Sequence, residues 1–332
     1  MKPLLKTLTE IASPSGHEDA IREAVLKLVK PHADEIRVDA LGNVIVRKGR
    51  AAKNGKRVML AAHLDEIGLI VSHVDANGFA RFSTLGGFYP MRKVNTRVQF
   101  LNGARGVIGL EQPAHLEDRA PAMDKFFVDT GATSAKDSPV KVGDAAVFDA
   151  GFSDLGTRLV SKSFDDRVGV AILIEALHAL KSSPHEVYFV FTVQEEVGVR
   201  GAGPAAYGIE PEIGLAVDVT WANDQPQAGE RNPIKLGGGP AIKVKDSLML
   251  SDPFLVEGLT RIAEKNRIPV QREVLEGGST DARAIQLAGL GARAGGICIP
   301  LRNIHSPSEM LDMNDVNNTL KLLSAFLRSA EI

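Results

Sequence analysis

Two adjacent carboxylates, Glu195 and Glu196, stand at the end of the apolar run in FTVQEEVGVRG (residues 191–201), where a buried strand should stop. Four further strand-like runs deliver side chains able to bind a metal. RVMLAA leads into His63-Leu64-Asp65-Glu66, RLVSKSF into Asp165-Asp166, IGLAV into Asp218, and ARAGGICIP is followed by Ile304-His305-Ser306. In α/β sheets the functional crevice lies outside the carboxyl ends of the strands, so five such ends can converge on one site. Carboxylates crowded together at low dielectric repel one another and need a compensating charge. Two histidines with several carboxylates and no cysteine form a hard-to-borderline ligand set, suited to Zn, Co or Mn in a catalytic site rather than to a thiolate structural site. One of the two adjacent glutamates would then bind metal. Its neighbour would stay free as a general base toward a water held there.

The elements that must position these residues follow from hydrophobic periodicity. Residues 3–64 read as two helices, the second near 17–30, then a hairpin turning at Leu41-Gly42-Asn43 and the strand RVMLAA. From 67 to 158 the pattern changes to short β-like runs separated by turn signals such as DANG and LNGARG. After 159, strands alternate with helices expected at 167–181, 253–266, 281–288 and 314–330, with a Gly-rich turn after the strand EVYFVFTV. Such alternation predicts a largely parallel or mixed sheet covered on both faces. The expected organisation is a discontinuous α/β catalytic domain, residues 1–66 and 159–332, interrupted by an all-β insertion over 67–158.

Composition excludes several classes. At 332 residues, 44% hydrophobic and 24% charged, the chain is an ordinary globular protein. Lys plus Arg is 39 against 41 for Asp plus Glu, so no net basic charge draws it to nucleic acid or anionic lipid. Its single cysteine, Cys298, has no intrachain partner, the longest apolar stretch (168–180) is broken by Glu175 and His178, and the amino terminus lacks a signal-peptide core. A cytoplasmic protein with no membrane partner is expected. Asp166 is read as a helix-starting carboxylate favoured by the N-terminal dipole. His17, His32, His73, His115, His178 and His185 are read as surface or packing residues. The glycines at 198, 201, 203 and 237–239 do not match a nucleotide-binding fingerprint.

AAHLDEIG (61–68), SFDDRVGV (163–170), QEEVGVRGA (194–202), AVDVT (216–220), GGSTDA (277–282) and IHSPSEM (304–310) together resemble the successive signatures of the tetrahedral, dodecameric metallo-aminopeptidases, the deblocking or glutamyl aminopeptidases. The resemblance spans nearly the whole chain. It implies a zinc-exopeptidase α/β sandwich, its mixed sheet covered by helices, carrying a PDZ-like β-barrel insertion that makes dimers, which join into a hollow tetrahedron of twelve subunits. It further implies two divalent metals per subunit, Zn or Co with Mn as an option, bridged by Asp165. His63 and Asp218 would complete one metal, and Glu196 and His305 the other. Glu195 would be the general base, and Asp65 would hold the His63 ring. The implied substrates are short peptides with a free amino terminus. A neutral, leucine-like first residue is expected, because the sequence identifies no charged residue that must line the pocket. Competing readings are a carboxypeptidase or deacylase of the same fold, a glucanase, and a non-catalytic peptide-binding scaffold. Adjacent glutamates argue against the glucanase, whose two carboxyls need a substrate-sized gap.

Overall fold

A computed structural model describes residues 1–88, 90–111, 121–226 and 233–330. The chain opens with α1 (Lys2–Glu10) and α2 (Asp19–Val29), then β1 (Glu35–Val38), β2 (Val44–Lys48) and β3 (Arg57–His63). Six strands follow: β4 (Gly68–Val74), β5 (Ala80–Leu85), β6 (Arg97–Phe100), β7 (Arg105–Leu110), β8 (Phe126–Asp129) and β9 (Ala145–Phe148). The remainder runs β10 (Ser153–Leu155), β11 (Arg158–Ser161), α3 (Phe164–Ala179), β12 (Glu186–Thr192), α4 (Ala202–Ile209), β13 (Ile213–Trp221), β14 (Ala241–Lys245), α5 (Pro253–Lys265), β15 (Gln271–Val274), α6 (Asp281–Gln286), β16 (Arg293–Arg302), β17 (Glu309–Asp312) and α7 (Met313–Arg328).

The sheet is mixed, as expected, with order β1-β2-β12-β3-β13-β16-β17-β11-β10 and with β14 pairing both β15 and β16. Its centre is parallel: β12 with β3, β3 with β13, and β13 with β16. These strands are buried along most of their length, which explains their continuous apolar runs. One face is covered by α3 with α1, α2 and α7 around it, over a core that includes Phe164, Ile172, Phe189 and Phe326. The other is covered by α4 and α6, over Met59, Val190 and Ile285. Helix starts follow capping chemistry: the Asp252 and Asp312 carboxylates accept the amides of Phe254 and Asn314, and Pro253 opens α5.

Strands β4 to β9 close into a barrel in the order β4-β5-β8-β7-β6-β9, with its own core of Phe82, Phe100, Phe126, Val128 and Phe148. Closure removes the free edges that so many short strands would otherwise expose. No helix among the described residues is long and apolar enough to cross a membrane.

Three local readings change. The Gly-rich turn after β12 contains the helix α4, whose Ala202, Ala205, Ala206 and Ile209 are buried against the sheet and α6. Packing stabilises it despite glycines and a proline that lower helix propensity. The strand β14 follows the glycine run 237–239, whose first and last amides donate to the buried Asp315 carboxylate. Asp218 does not end its strand: β13 continues to Trp221 because β16 pairs with it as far as Leu301.

Candidate metal centre

β3, β12, β13 and β16 run in one direction, and β11 shares it, since β11 is antiparallel to β17 and β17 to β16. Their carboxyl ends therefore open on one edge of the sheet. There a cleft of about 690 Å³ is lined by His63, Asp165, Glu195, Glu196, Asp218 and His305, among others. The structure brings the expected site residues together.

Asp165 lies between the two histidines. Its Oδ1 is 3.0 Å from His63 Nε2, and its Oδ2 is 3.3 Å from His305 Nε2. His305 Nε2 is also 3.1 Å from Glu196 Oε2, and His63 Nε2 is 4.0 Å from Glu195 Oε2. Each ring is held from behind by a carbonyl. His63 Nδ1 donates to Asp65 O at 3.0 Å, and His305 Nδ1 donates to Gly87 O. A carbonyl can only accept, so each Nδ1 carries a proton and each Nε2 is left to face the cleft, where it donates to Asp165 or, once deprotonated, can bind a cation. Asp218 lies one strand from His63, and possible ligand atoms of His63, Asp165 and Glu196, and of His63, Asp166 and Asp218, fall within 4.8 Å of one another.

Asp65 stands behind the His63 ring with both its carbonyl and its carboxylate. Asp65 Oδ1 is 3.5 Å from His63 Nδ1, beyond the ring's nearer contact with the carbonyl. The carboxylate also accepts the amides of Glu195 at 3.0 Å and Glu196 at 3.2 Å, and the Ser15 hydroxyl at 2.6 Å. It pins the turn that presents both glutamates. Asp166 caps α3: Oδ1 accepts the Gly169 amide at 3.1 Å, and Oδ2 reaches the His63 amide at 3.1 Å. With both oxygens engaged by backbone, it is less available than Asp165 to a ligand in the cleft.

The electrostatics require added positive charge. Burial pushes the Glu195 carboxyl well above its usual range, opposed by His63 and reinforced by Asp218, Asp281 and Glu196. Burial also raises Glu196, and pushes Asp218 up to about 7. Burial would raise Asp165 as well, but hydrogen bonds from His305 and His63 hold it below the usual carboxylate range. Although burial disfavours a charged imidazole, Glu196 and Asp165 push His305 up to about 12. Glu196 Oε1 is buried with no hydrogen-bond partner, an orphan that protein groups leave unfilled. Imidazole and carboxylate donors with an unsatisfied carboxylate oxygen fit divalent cations.

Further residues enter the site unannounced. Glu309 is fully buried and accepts the amides of Asp165 at 3.1 Å and His305 at 2.9 Å, tying two loops together. Its place four residues after His305 in IHSPSEM is the one signal that could have found it. Asp281, at the start of α6, accepts the Thr192 hydroxyl, leaving Oδ1 unpartnered, and burial pushes its carboxyl up to about 6. Lys162, buried, contacts Glu66 at 2.7 Å beside the buried Arg167. Lys243 lines the cleft, so the reason given for a neutral pocket, that no charged residue lines it, does not hold.

The other histidines stay away from the cleft. His178 bonds Leu28 O, His185 bonds Ser329 O, the rings of His32 and His178 stack at 4.0 Å, and His17 and His73 are exposed. His115 lies outside the described residues.

Comparison with known proteins gives concordant results. A family model described as M42 glutamyl aminopeptidase matches residues 42–322. A putative aminopeptidase of Acetivibrio thermocellus is 44% identical over 97% of both chains. An aminopeptidase from the archaeon Desulfurococcus kamchatkensis superposes with a TM-score of 0.93 at 43% identity, covering 98% of this chain and 94% of the other. The Pyrococcus horikoshii TET1 peptidase, which can assemble into a tetrahedron or a large octahedral shell, superposes with a TM-score of 0.87 at 34% identity over 99% of both chains.

Proposed function

The chain belongs to the M42 glutamyl aminopeptidase family, and from that premise we propose that this aminopeptidase is a dinuclear-metal enzyme that removes the first residue of short peptides. One observation carries the dinuclear reading. The two oxygens of Asp165 face different histidines, His63 at 3.0 Å and His305 at 3.3 Å, as a bridging carboxylate would. His63 and Asp218 would hold one divalent cation, and Glu196 and His305 the other. The donor set suits Zn or Co, and Mn as well. When bound, the cations lower the pKa of a coordinated water and polarise the scissile carbonyl.

The rest is the work of side chains. Glu195, free of the ligand set, takes the water's proton and passes it to the departing amine. Asp65 fixes Glu195 and Glu196 together through their amides, so base and ligand keep a constant spacing. The surrounding acidic groups attract a protonated amino terminus, which favours cleavage at the first peptide bond. The barrel would serve for dimerisation, and dimers would assemble into a dodecamer; the TET1 peptidase assembly supports that reading.

The test is hydrolysis of aminoacyl chromogenic amides by metal-stripped and metal-reconstituted protein. Activity should vanish on chelation and return with Zn, Co or Mn. It should require a free amino terminus, so cleavage of an N-acetylated substrate at a comparable rate would overturn the reading in favour of a deacylase or carboxypeptidase.

A further inference from the structure

Away from the ligand cluster, the cleft is walled by a single fixed cation. Lys243 is the one Lys or Arg among the described lining residues. It is 1% exposed, and its Nζ lies 2.8 Å from Glu273 Oε2. The two are register partners across the parallel β14–β15 pair, so their side chains leave the sheet on the same face. Glu273 is fully buried behind the wall, where its other oxygen accepts the Thr220 hydroxyl. Lys243 and Thr220 reach the cleft, beside Leu248, Leu275 and Trp221. A second carboxylate, Asp246, stands near the pair, with Oδ1 holding the amides of Leu248 and Met249 and the Ser279 hydroxyl, and with Oδ2 buried without a hydrogen-bond partner.

Resting on the aminopeptidase reading, we propose that Glu273 masks Lys243, and that this neutralised pair makes the cleft select peptides whose first residue is uncharged. An unmasked lysine would anchor a glutamate or aspartate. Here an incoming carboxylate meets a lysine whose charge is already matched by Glu273, with Asp246 adding a negative field and the acidic ligand cluster at the other end of the cleft. Desolvating it there has no compensating gain. An incoming ammonium meets Lys243 itself, while Glu273 lies out of its reach. A neutral side chain packs on Leu248 and Leu275, and an amide oxygen can take one of the remaining Lys243 N–H donors. The family's description names glutamyl substrates, whereas the charge balance in this chain points to neutral ones. Lys243 is thus the specificity-determining residue, and Glu273 acts through it as a positioning residue.

The experiment compares kcat/KM of the metal-replete enzyme for leucyl, glutaminyl, glutamyl and lysyl p-nitroanilides. Wild type should favour the neutral pair over both charged substrates by about tenfold or more, the scale expected when one uncompensated charge enters a pocket. Glu273→Gln unmasks Lys243 and should raise the glutamyl-to-leucyl ratio about tenfold, chiefly through a lower KM for the glutamyl substrate. Replacing both residues, Lys243→Met with Glu273→Met, should keep the wild-type order, because the wall stays neutral. A folded Glu273→Gln enzyme with an unchanged ratio overturns the proposal, as does a wild type that prefers glutamyl substrate. The wild-type panel and the double variant decide the matter should Glu273→Gln not fold. An enzyme that cleaves none of these amides overturns the aminopeptidase reading along with this inference, whereas a glutamyl preference overturns the inference alone.

Discussion

The Asp65 carboxylate accepts three hydrogen bonds, from Ser15 and from the amides of Glu195 and Glu196, while the carbonyl of the same residue orients His63. An asparagine there offers one acceptor oxygen where the carboxylate offers two, so the turn carrying both glutamates must loosen. Asp65→Asn should lower rate or metal affinity by about 10- to 100-fold without abolishing the site, the usual size of an effect one shell from a metal. Steady-state kinetics with metal titration check it, and wild-type behaviour would show that the turn needs no such anchor. The two glutamates should differ in kind. Glu195→Gln should retain both metals and lose about 100- to 10,000-fold in rate, the range of a general-base contribution, whereas Glu196→Gln should lose metal as well. Equal metal loss in both, by elemental analysis, would refute this division. These residues were legible in the sequence because polar, metal-capable types recur where apolar runs stop. Glu309 left only its spacing from His305 as a signal, and Lys243 and Gly87 left none: their roles depend on the register of β14 with β15 and on which loops meet, and no local pattern encodes either.

At the scale of elements, the site depends on how closely α3 approaches the sheet. A Cβ on Gly169 would stand 2.3 Å from Val217 O and 2.4 Å from Asp166 Oδ1, so only glycine lets the first turn of α3 rest on β13 beside Asp218. That contact also keeps the Asp166 cap on the His63 amide. Gly169→Ala should therefore destabilise the fold by about 1–3 kcal/mol, the usual range for overpacking, and weaken metal binding too. Denaturant unfolding and a metal titration measure the two effects, and an alanine variant normal in both would mean that α3 can shift without disturbing the ligands. Most elements could be read from periodicity, and the change to short β-like runs after residue 67 announced the barrel. The helix α4 escaped because Gly203, Pro204 and Gly208 interrupt its short sequence, and its stability comes from burial against α6 rather than from its own propensity.

For the whole molecule, the proposed assembly has a measurable mass. Twelve chains of 35.5 kDa make about 426 kDa, and closed symmetric assemblies of this kind are common among homo-oligomers. Light scattering should find that mass, or a dimer in exchange with it, in metal-replete protein, with the balance moving toward dimer on chelation. A metal-replete monomer near 36 kDa would leave the barrel without its proposed use in dimerisation. The structure ties barrel and site together more directly than their adjacency in sequence does. The loop after β5 brings the Gly87 carbonyl to His305 Nδ1, and a Cβ on Gly86 would stand 3.1 Å from Glu196 Oε2. The barrel is thus no detachable cassette. A homologous barrel grafted in its place would have to reproduce this loop to within a few tenths of an ångström, so barrel and sheet are constrained to evolve as one unit even though none of the proposed ligands lies between residues 67 and 158.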